Sequence, residues 1–383
     1  MADVRAFRAL AYDPETVGDL GHVIAPPYDV IPAERLPELR LRSPYNVVHL
    51  TRPGSDYEVA AGLERRWIGE GVLRRDAEPA LLLHEVAFDG RVRRDLIAAL
   101  RLQPYGDGVV LPHERTHRGP KEDRLALLRA TRTSLEPLWF LYDGAATELP
   151  ALLEQGFIGQ PAATFVDEDG GSHRLWRTVD AWWAARMREA FAALPVLIAD
   201  GHHRYETSLA YADEVGGSED ASSRFTLALL TDLADPGLEV LPTHRVLKAG
   251  VAVTGADPAG SLGEMLQALD GEVAAGYYRE RMFHVLHLEG EVPVVELHRQ
   301  VIDNILGKRS LEENVEYTRD PQEAVRWVDE GRGTAAFFLA RPDLAAVLKE
   351  AREGRTMPQK TTYFFPKPPS GMLFLELDPE RGL

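Results

Sequence analysis

The 383-residue sequence contains no cysteine, which excludes disulfide bonds, thiol nucleophiles and cysteine-ligated metal sites. It also lacks any run of about eighteen apolar residues, so it predicts no transmembrane helix, and its first residues predict no signal peptide. Basic residues number 43 against 60 acidic ones, and the net charge of −17 disfavours binding to nucleic acid. These absences favour a cytoplasmic protein with no membrane or nucleic-acid partner.

The length and the mixture of patterns predict two α+β regions. A chain of this size exceeds what one hydrophobic core normally supports, and 45% of its residues are hydrophobic. Strand-like and helix-like segments follow one another without a sustained βαβ rhythm, so we expect an α+β fold. We place a first domain at residues 1–247 and a second α+β domain at residues 248–383, whose tail can pack on the first. The GxGxxG fingerprint of dinucleotide-binding proteins is missing.

Local patterns around the centre of the chain predict the elements that matter for function. Asp89-Gly90 separates two strand-like runs and predicts a hairpin. Hydrophobic spacing predicts a helix from about Leu175 to Leu194 and a short buried strand at residues 196–199. That strand leads directly into the polar segment DGHHR, residues 200–204, after which we expect an amphipathic helix.

The segment Asp200-Gly201-His202-His203-Arg204 has the chemistry of a phosphate-binding turn. Gly201 has no Cβ, so the backbone can approach a ligand closely, and the amide groups and dipole of a starting helix favour an anion. Arg204 offers a planar fork for phosphate oxygens, and both histidines can donate hydrogen bonds. We predict phosphate or nucleotide binding at Gly201, His202, His203 and Arg204, with Asp200 and His203 as candidate catalytic groups. The alternative is that Asp200 is an ordinary N-cap residue and that the two histidines lie in the first helical turn without a functional role.

DGHHR after a hydrophobic strand resembles the phosphate-binding signature of the ParB/sulfiredoxin superfamily, and especially of its free serine kinases. This resemblance implies a mixed-sheet core and, in the kinase branch, nucleotide-dependent phosphorylation of the hydroxyl of free L-serine. Sulfiredoxin chemistry needs a cysteine where this chain has His202, and we recognise no helix-turn-helix of the partition proteins. The whole chain also resembles a bacterial family, domain of unknown function 1015, in the stretches APPYDVI, SPYNVVHL, HERTH, KEDRLALLRA, IADGHHRYETSLAY, PTHRVL and MPQKTTYFFPKPPSG.

Two further polar segments supply candidate catalytic carboxylates. The loop HERTH, residues 113–117, is not a helical zinc motif because prolines lie close on both sides, but Glu114 is a candidate base or Mg²⁺ ligand. Arg118 and Lys121 follow it and could neutralise phosphate charge. Asp29 lies in the rigid segment PPYD and is a candidate base. A solvated loop and a structural anchor are the respective alternatives.

Two segments in the second half of the chain supply weaker candidates. In PQKTTY, Lys360 and Thr361 are candidate phosphate ligands, and Lys367 follows in the same proline-bounded loop. Packing of the tail aromatics is the alternative interpretation. The segment THR, residues 243–245, follows a strand and is a weak candidate for lining the same cleft as DGHHR.

Three functions remain open at this point. The first is a phosphotransferase that uses ATP or ADP, with Mg²⁺ bridging phosphate oxygens, to modify a small hydroxyl-bearing metabolite such as a free amino acid. The second is a nucleotide-binding switch without small-molecule catalysis. The third is a metal hydrolase that uses Asp200, His202, His203 and His113 to bind zinc or manganese. The sequence does not predict an oligomeric state.

Overall fold

The computed structural model describes residues 1–114, 118–249, 253–307 and 309–383. The chain divides into two compact units. Unit 1 contains Met1–Pro112, the described residues that follow up to Leu238, and Pro366–Leu383; unit 2 contains His113, Glu114 and the described part of Glu239–Phe365. The C-terminal segment therefore belongs to the unit that also contains the N-terminus.

Within the described residues, the strands of unit 1 are β1 Val4–Arg5, β2 Leu10–Tyr12, β3 Leu73–Arg75, β4 Leu81–Phe88, β5 Arg91–Arg101, β6 Val110–Leu111, β7 Thr133–Ser134, β8 Leu138–Tyr142, β9 Ala163–Val166, β10 Ser172–Thr178, β11 Val196–Asp200, β12 Phe225–Asp232 and β21 Leu375–Glu376. Nine of them form a mixed sheet in the order β6-β11-β8-β12-β5-β4-β10-β9, with β1 paired to β5, while β2 with β3 and β7 with β21 form two separate two-stranded sheets. The helices of unit 1 are α1 Pro14–Val17, α2 Leu36–Arg42, α3 Val48–Thr51, α4 Tyr57–Gly69, α5 Arg118–Thr131, α6 Leu149–Gly156, α7 Ala181–Ala192 and α8 His202–Val215.

The central strands of this sheet are apolar because both of their faces are buried. Every residue of β8 is buried, as are all but the last residue of β12. Strand β11 pairs parallel with β6 and antiparallel with β8, which places its end at Asp200 within the sheet. Phe140 of β8 and Tyr205 of α8 belong to one hydrophobic core, so α8 packs directly against the strands that lead to it.

The hairpin predicted at Asp89-Gly90 is confirmed. Asp89 and Gly90 have φ angles of 45° and 74°, the two positive values that a tight turn between β4 and β5 requires. The helix predicted from Leu175 to Leu194 is wrong in its first part, because residues 172–178 form β10 between β4 and β9. The helix begins only at Ala181, where the side chain of Asp180 accepts hydrogen bonds from two backbone amides.

Unit 2 is a second α+β structure, and its described strands are β13 Glu239–Leu241, β14 His244–Leu247, β15 Asp257–Ala259, β16 Ala274–Arg279, β17 Met282–His287, β18 Val315–Thr318, β19 Ala335–Phe338 and β20 Tyr363–Phe365. Six of them form an antiparallel sheet in the order β15-β17-β16-β19-β14-β18, and β13 pairs separately with β20. Hydrophobic clusters cover both faces of the six-stranded sheet. The helices of unit 2 are α9 Leu262–Gln267, α10 Pro293–Leu297, a π-helical turn at His298–Ile302, α11 Asp303–Leu306, α12 Leu311–Asn314, α13 Pro321–Asp329 and α14 Leu344–Arg352.

The structure confirms the predicted fold class, α+β with a large mixed sheet and a second α+β region. In the part of the chain that the structure describes, no helix combines the length and the apolar character needed to cross a membrane.

Candidate functional site

The predicted phosphate-binding turn lies where β11 ends and α8 begins. Gly201 is the N-cap residue of α8 and has a φ of 99°, a value that L side chains rarely adopt. A Cβ at this position would lie 3.1 Å from Nη2 and 3.2 Å from Cζ of Arg204. Glycine is therefore favoured on two grounds, by the backbone conformation and by the tight contact that a Cβ would make with the guanidinium. Because the N-cap residue is a glycine, it has no side chain that could accept a hydrogen bond from the first turn of α8.

Arg204 is buried beneath this turn, with 9% of its surface exposed. Its Nη2 donates to Asp200 Oδ2 at 2.6 Å, and its Nη1 donates to the carbonyl oxygen of Pro137 at 2.8 Å. The next residue, Tyr205, is fully buried, and its hydroxyl donates to the carbonyl oxygen of Gln103 at 2.8 Å. The hydrogen bonds of these two buried side chains fix the first turn of α8, and Arg204 orients the carboxylate of Asp200.

Lys367 meets Asp200 from the C-terminal segment of unit 1. Its ammonium group donates a short hydrogen bond to Asp200 Oδ1, so each oxygen of this carboxylate contacts a cation. The same ammonium lies 3.7 Å from Oδ2 of Asp29, which belongs to the PPYD segment. The Asp29 side chain is 31% exposed, whereas that of Lys367 is 10% exposed. The turn therefore gathers two carboxylates around one lysine, and Asp29 is the more accessible of the two.

The buried carboxylate of Glu136 anchors two proline-rich segments, one that contains Asp29 and one that contains Lys367. Glu136 Oε1 accepts hydrogen bonds from the Tyr28 amide at 3.0 Å and from the Ser370 hydroxyl at 2.6 Å. The Tyr28 ring lies against the guanidinium of Arg124, 4.2 Å from its carbon to the ring centroid. Tyr28 precedes Asp29, and Ser370 follows Lys367 closely. These hydrogen bonds therefore position both Asp29 and Lys367.

The electrostatics of the group follow from burial and from the neighbouring charges. Burial disfavours the charged guanidinium, but the carboxylates of Glu136, Asp200 and Asp29 outweigh it and raise the pKa of Arg204 above its ordinary value. Burial, reinforced by Asp29, raises the pKa of the Tyr28 hydroxyl to about 12. Arg204 is therefore permanently charged and Tyr28 is neutral at physiological pH.

The two histidines of the turn occupy different environments. His202 is buried with 8% exposure, whereas His203 is half-buried and its carbonyl oxygen accepts a hydrogen bond from the Thr207 hydroxyl at 2.7 Å. Consecutive residues of a helix point in different directions, so one ligand atom is not expected to contact both rings. One turn further along α8, Glu206 accepts a hydrogen bond from Lys121. The lysine predicted to neutralise phosphate is therefore paired with a carboxylate.

The other predicted residues lie in unit 2. Glu114 Oε1 accepts a hydrogen bond from the Thr361 amide at 3.1 Å, so the structure brings these two candidates together. The Thr361 hydroxyl donates to the carbonyl oxygen of Pro358 at 2.6 Å, and Lys360 has a positive φ of 52°. Nε2 of His113 and the hydroxyl oxygen of Thr362 are 2.8 Å apart. The candidates are thus divided, with Asp29 and residues 200–204 in unit 1 and Glu114, Lys360 and Thr361 in unit 2.

Part of the predicted HERTH loop, residues 115–117, lies outside the described residues, as does the side chain of Arg118. In the part of the chain that is described, no group of three or more histidine, aspartate and glutamate side chains is arranged to hold a metal ion. The metal hydrolase therefore has no support from the described side chains.

Two residues of the group were not among the site residues that the sequence predicted. The sequence pattern places Lys367 only in a proline-bounded loop and gives Glu136 no functional role. The signal for Lys367 was its position between Pro366 and Pro368, since prolines restrict the backbone on both sides of the ammonium-bearing residue. Glu136 carries no comparable local signal.

A family model described as "Protein of unknown function (DUF1015)" matches residues 4–315. No curated protein matches the sequence. Solved structures that resemble the chain include a mutant of free serine kinase in complex with ADP, with 14% identity, a TM-score of 0.42, and coverage of 74% of this chain and 92% of that chain. Another is a conserved hypothetical protein from Pyrococcus furiosus, with 16% identity, a TM-score of 0.40, and coverage of 74% and 95%. A C-terminally truncated SbnI from Staphylococcus aureus has 12% identity, a TM-score of 0.36, and coverage of 70% and 82%.

Proposed function

The chain belongs to the DUF1015 family, and we propose that it is a nucleotide-dependent phosphotransferase acting on the hydroxyl group of a small metabolite such as a free amino acid. The observation that carries this proposal is the group formed by Asp200, Lys367 and Asp29 at the start of α8. The resemblance of DGHHR to the turn of the free serine kinases adds to it. Phosphoryl transfer depends mainly on positioning and on neutralising charge, and this group provides both kinds of residue.

In this proposal, the phosphate rests on the N-terminal turn of α8. The helix dipole places partial positive charge there, and a backbone that carries no Cβ at Gly201 permits a close approach. Lys367 adds a formal positive charge beside the turn. Arg204 acts as a positioning residue, because its guanidinium is already engaged by Asp200 and by the carbonyl oxygen of Pro137.

Asp29 is the proposed base. Both oxygens of Asp200 contact cations, whereas the Asp29 carboxylate is one-third exposed and lies at a longer distance from Lys367. The acceptor hydroxyl would give its proton to Asp29 as its oxygen bonds to phosphorus. The bond between that phosphorus and the nucleotide breaks, and the nucleotide leaves with one phosphate fewer.

The residues present fit Mg²⁺ only together with a nucleotide. Magnesium is usually held by one or two carboxylates and by substrate phosphates, and Asp29 and Asp200 are two carboxylates near one lysine. When bound, the ion would neutralise charge on the phosphate oxygens. ATP and ADP are both proposed as donors.

The test is transfer of labelled phosphate from ATP or ADP, with Mg²⁺, to a pool of amino acids and other hydroxyl compounds. Asp29→Asn should lower the rate by roughly 10²–10⁴-fold because it removes the base, while nucleotide binding measured by calorimetry persists. Lys367→Met should weaken nucleotide binding as well. Glu34→Gln is the matched control, since Glu34 is an exposed carboxylate close to Asp29 in sequence, and it should leave both quantities unchanged.

Two outcomes contradict the proposal. Wild-type protein that makes no phosphorylated product with any nucleotide is not a phosphotransferase, and if it still binds nucleotide tightly the switch interpretation replaces it. Full transfer by Asp29→Asn would remove Asp29 from the mechanism.

A further inference from the structure

Four ionisable side chains of unit 1 form a continuous row of contacts inside its main sheet. His84 Nδ1 lies 2.7 Å from Oδ2 of Asp95. On the other side of the ring, His84 Nε2 lies 2.9 Å from Nδ1 of His173, whose Nε2 in turn lies 2.9 Å from Oδ2 of Asp167. The first three side chains are at most 1% exposed, and that of Asp167 is 16% exposed. We call these four side chains the histidine array.

The register of the strands produces this row. His84 of β4 pairs directly with Asp95 of β5, and His173 of β10 pairs with Val86, two residues further along β4. Because alternate residues of a strand point to the same face, His84 and His173 are diagonal neighbours on one face of the sheet. The sheet itself therefore holds the three buried members of the array together.

The carboxyl group at the buried end of the array is ionised. Arg93 Nε donates to Asp95 Oδ1 at 3.0 Å, and the Thr231 hydroxyl donates to the same oxygen. Burial disfavours the charge of Asp95, but the charge of Arg93 and the hydrogen bonds to the carboxylate outweigh it and hold the pKa of this carboxyl below its ordinary value. Arg93 also donates through Nη1 to the carbonyl oxygen of Pro366, the residue before Lys367. The buried end is thus connected to the segment that carries Lys367.

The carboxyl group at the more exposed end is ionised as well. Asp167 Oδ1 accepts hydrogen bonds from the backbone amides of Asp169 at 3.0 Å and Gly171 at 2.7 Å, within the turn that joins β9 to β10. Burial disfavours its charge, but the hydrogen bond with His173 and these two amides outweigh it and hold the pKa of Asp167 below its ordinary value. Neither carboxyl group therefore supplies a proton to the array.

The three contacts of 2.7–2.9 Å need three protons. Two nitrogen or oxygen atoms this close are stable only if a proton lies between them, because two lone pairs at that distance repel each other. The carboxylates supply none, and two neutral imidazoles supply one each. One of the two histidines therefore carries a proton on both ring nitrogens and is positively charged.

The additional proton belongs to His173. Burial outweighs the hydrogen bond with Asp95 and lowers the pKa of His84 to about 4, so His84 is neutral at physiological pH. Its proton is on Nδ1, because a bare nitrogen would otherwise face the carboxylate, and its Nε2 accepts from Nδ1 of His173. His173 then donates through Nε2 to Asp167 as well. Charge balance agrees, since Arg93 and one imidazolium balance the two carboxylates, whereas a neutral His173 leaves a buried negative charge unbalanced.

Ionisable groups near the two ends of the array are accounted for by other contacts. Asp235 and Tyr142 interact electrostatically with the buried end, and burial raises the pKa of both, so the tyrosine is neutral. Glu168 lies at the more exposed end, where its carboxylate pairs with Arg35 at 3.0 Å and Arg42 at 3.3 Å. These groups leave the proton count of the array unchanged.

We propose that the histidine array is a pH-sensitive switch, in which one proton on His173 closes the row of contacts between the turn at Asp167 and the interior of the sheet. When this proton is lost, two lone pairs face each other at one of the three contacts, and the row opens there. The same array supports the Lys367 segment through Arg93. The switch concerns the folded structure of unit 1 and does not depend on phosphotransfer.

The protonation state of the His173 ring tests the proposal directly. In nitrogen NMR spectra of the full chain with isotope-labelled histidine, both ring nitrogens of His173 should carry protons at pH 7.5, where a free histidine is about nine-tenths neutral. Its signal is identified by its absence from His173→Gln. Asp167→Asn should return the ring to the neutral form, because the asparagine amide donates to Nε2 and itself supplies the third proton. Asp169→Asn is the matched control, since Asp169 is an exposed carboxylate of the same turn, and it should leave the ring charged.

The pH dependence of chemical denaturation gives a second readout. The stabilising effect of the proton is complete below about pH 6.5, where the unfolded chain binds it too, and is lost as pH rises further, because the folded protein alone retains it. Between pH 7 and pH 8, the unfolding equilibrium constant of the wild type should rise roughly tenfold relative to that of Asp167→Asn, as expected for a difference of one bound proton. Asp169→Asn should follow the wild type.

Three results would overturn the proposal. They are a wild-type His173 ring with a single protonated nitrogen at pH 7.5, a ring that stays charged in Asp167→Asn, and equal pH slopes of unfolding in these two proteins between pH 7 and pH 8. If Asp167→Asn does not fold, the wild-type spectrum alone decides.

Discussion

Gly201 and Arg204 depend on each other at the start of α8. The guanidinium lies 3.1–3.2 Å from the position that a Cβ of residue 201 would take, and Gly201 itself has a positive φ between Asp200 and the helix that carries Arg204. The turn thus combines a backbone conformation and an ion pair that neither residue could maintain alone. This coupling makes residue 201 the most sensitive position of the group.

Gly201→Ala should destabilise the protein by about 1–3 kcal/mol, through the positive φ and through the contact with Arg204. It should also weaken nucleotide binding, because Asp200 moves with the guanidinium. Thermal unfolding and calorimetry measure the two effects. The matched control is Gly216→Ala at the other end of α8, where φ is 68° but a Cβ would meet no atom within 4 Å.

Gly216→Ala should lower the stability through backbone strain alone and should leave nucleotide binding unchanged. Equal losses of binding in the two variants would mean that the contact between residue 201 and Arg204 has no part in the site.

At this scale, the sequence predicted the residues of the turn but not their partners. Asp200, Gly201 and Arg204 lie close together in the chain, so a local pattern could identify them. The contact between Lys367 and Asp200 spans 167 positions and depends on the C-terminal segment joining unit 1. No local pattern encodes that contact, which arises only from the tertiary fold.

At the scale of elements, hairpin and helix predictions differed in their outcome for a physical reason. The hairpin predicted at Asp89-Gly90 is confirmed because the tight turn requires positive φ angles, which these residue types adopt readily. The segment at 172–178 contains the apolar residues Leu175 and Trp176, and so short an apolar run does not distinguish a helix from a strand. Pairing with β4 and β9 decides in favour of a strand, and such pairing cannot be read from the segment alone.

Helix α4 carries an unusual buried carboxyl group. Glu64 is 4% exposed, and a hydrogen bond with Thr133 and the charge of Arg65 stabilise its ionised form only in part. Burial, together with the nearby Glu376, raises the pKa of Glu64 to about 7. The carboxyl is therefore protonated in the folded state at pH values where the unfolded chain has already ionised it.

This shift predicts a stability that falls as pH rises. The folded pKa lies above the unfolded value of 4.5, so the contribution of Glu64 is fully present below pH 4.5 and is lost as pH rises to about 7. Glu64→Gln removes this dependence and should raise the free energy of unfolding by about 1–3 kcal/mol at pH 8, with little change at pH 4.5. Chemical denaturation at the two pH values measures the difference.

The exposed residue Glu58 of the same helix provides the comparison. Glu58→Gln should not stabilise the protein at either pH. A Glu64→Gln variant equally affected at pH 4.5 and pH 8 would indicate a change in packing instead of a lost ionisation.

At the scale of the whole molecule, burial holds three histidines of the described residues in the neutral form. Burial lowers the pKa of His84 and of His244 to about 4 and that of His298 to about 3. His84 belongs to unit 1, where its Nδ1 and Asp95 Oδ2 are 2.7 Å apart, and the other two belong to unit 2. In each case, the unfolded chain takes up a proton before the folded protein does.

Acidification should therefore destabilise the molecule well before its carboxylates are protonated, and unit 2 more than unit 1. Because the folded pKa values lie below the unfolded value of 6.5, the stabilising effect is complete above pH 6.5 and is lost as pH falls towards 4. Each histidine contributes a slope of about 1 kcal/mol per pH unit in that range.

Hydrogen exchange followed by mass spectrometry should show peptides of residues 253–307 losing protection at a higher pH than peptides of β8 and β12. His298→Gln should flatten the response of unit 2, whereas His287→Gln, at an exposed position of β17, should leave it unchanged. A pH dependence identical in both variants would show that the acid sensitivity of unit 2 originates elsewhere than at His298.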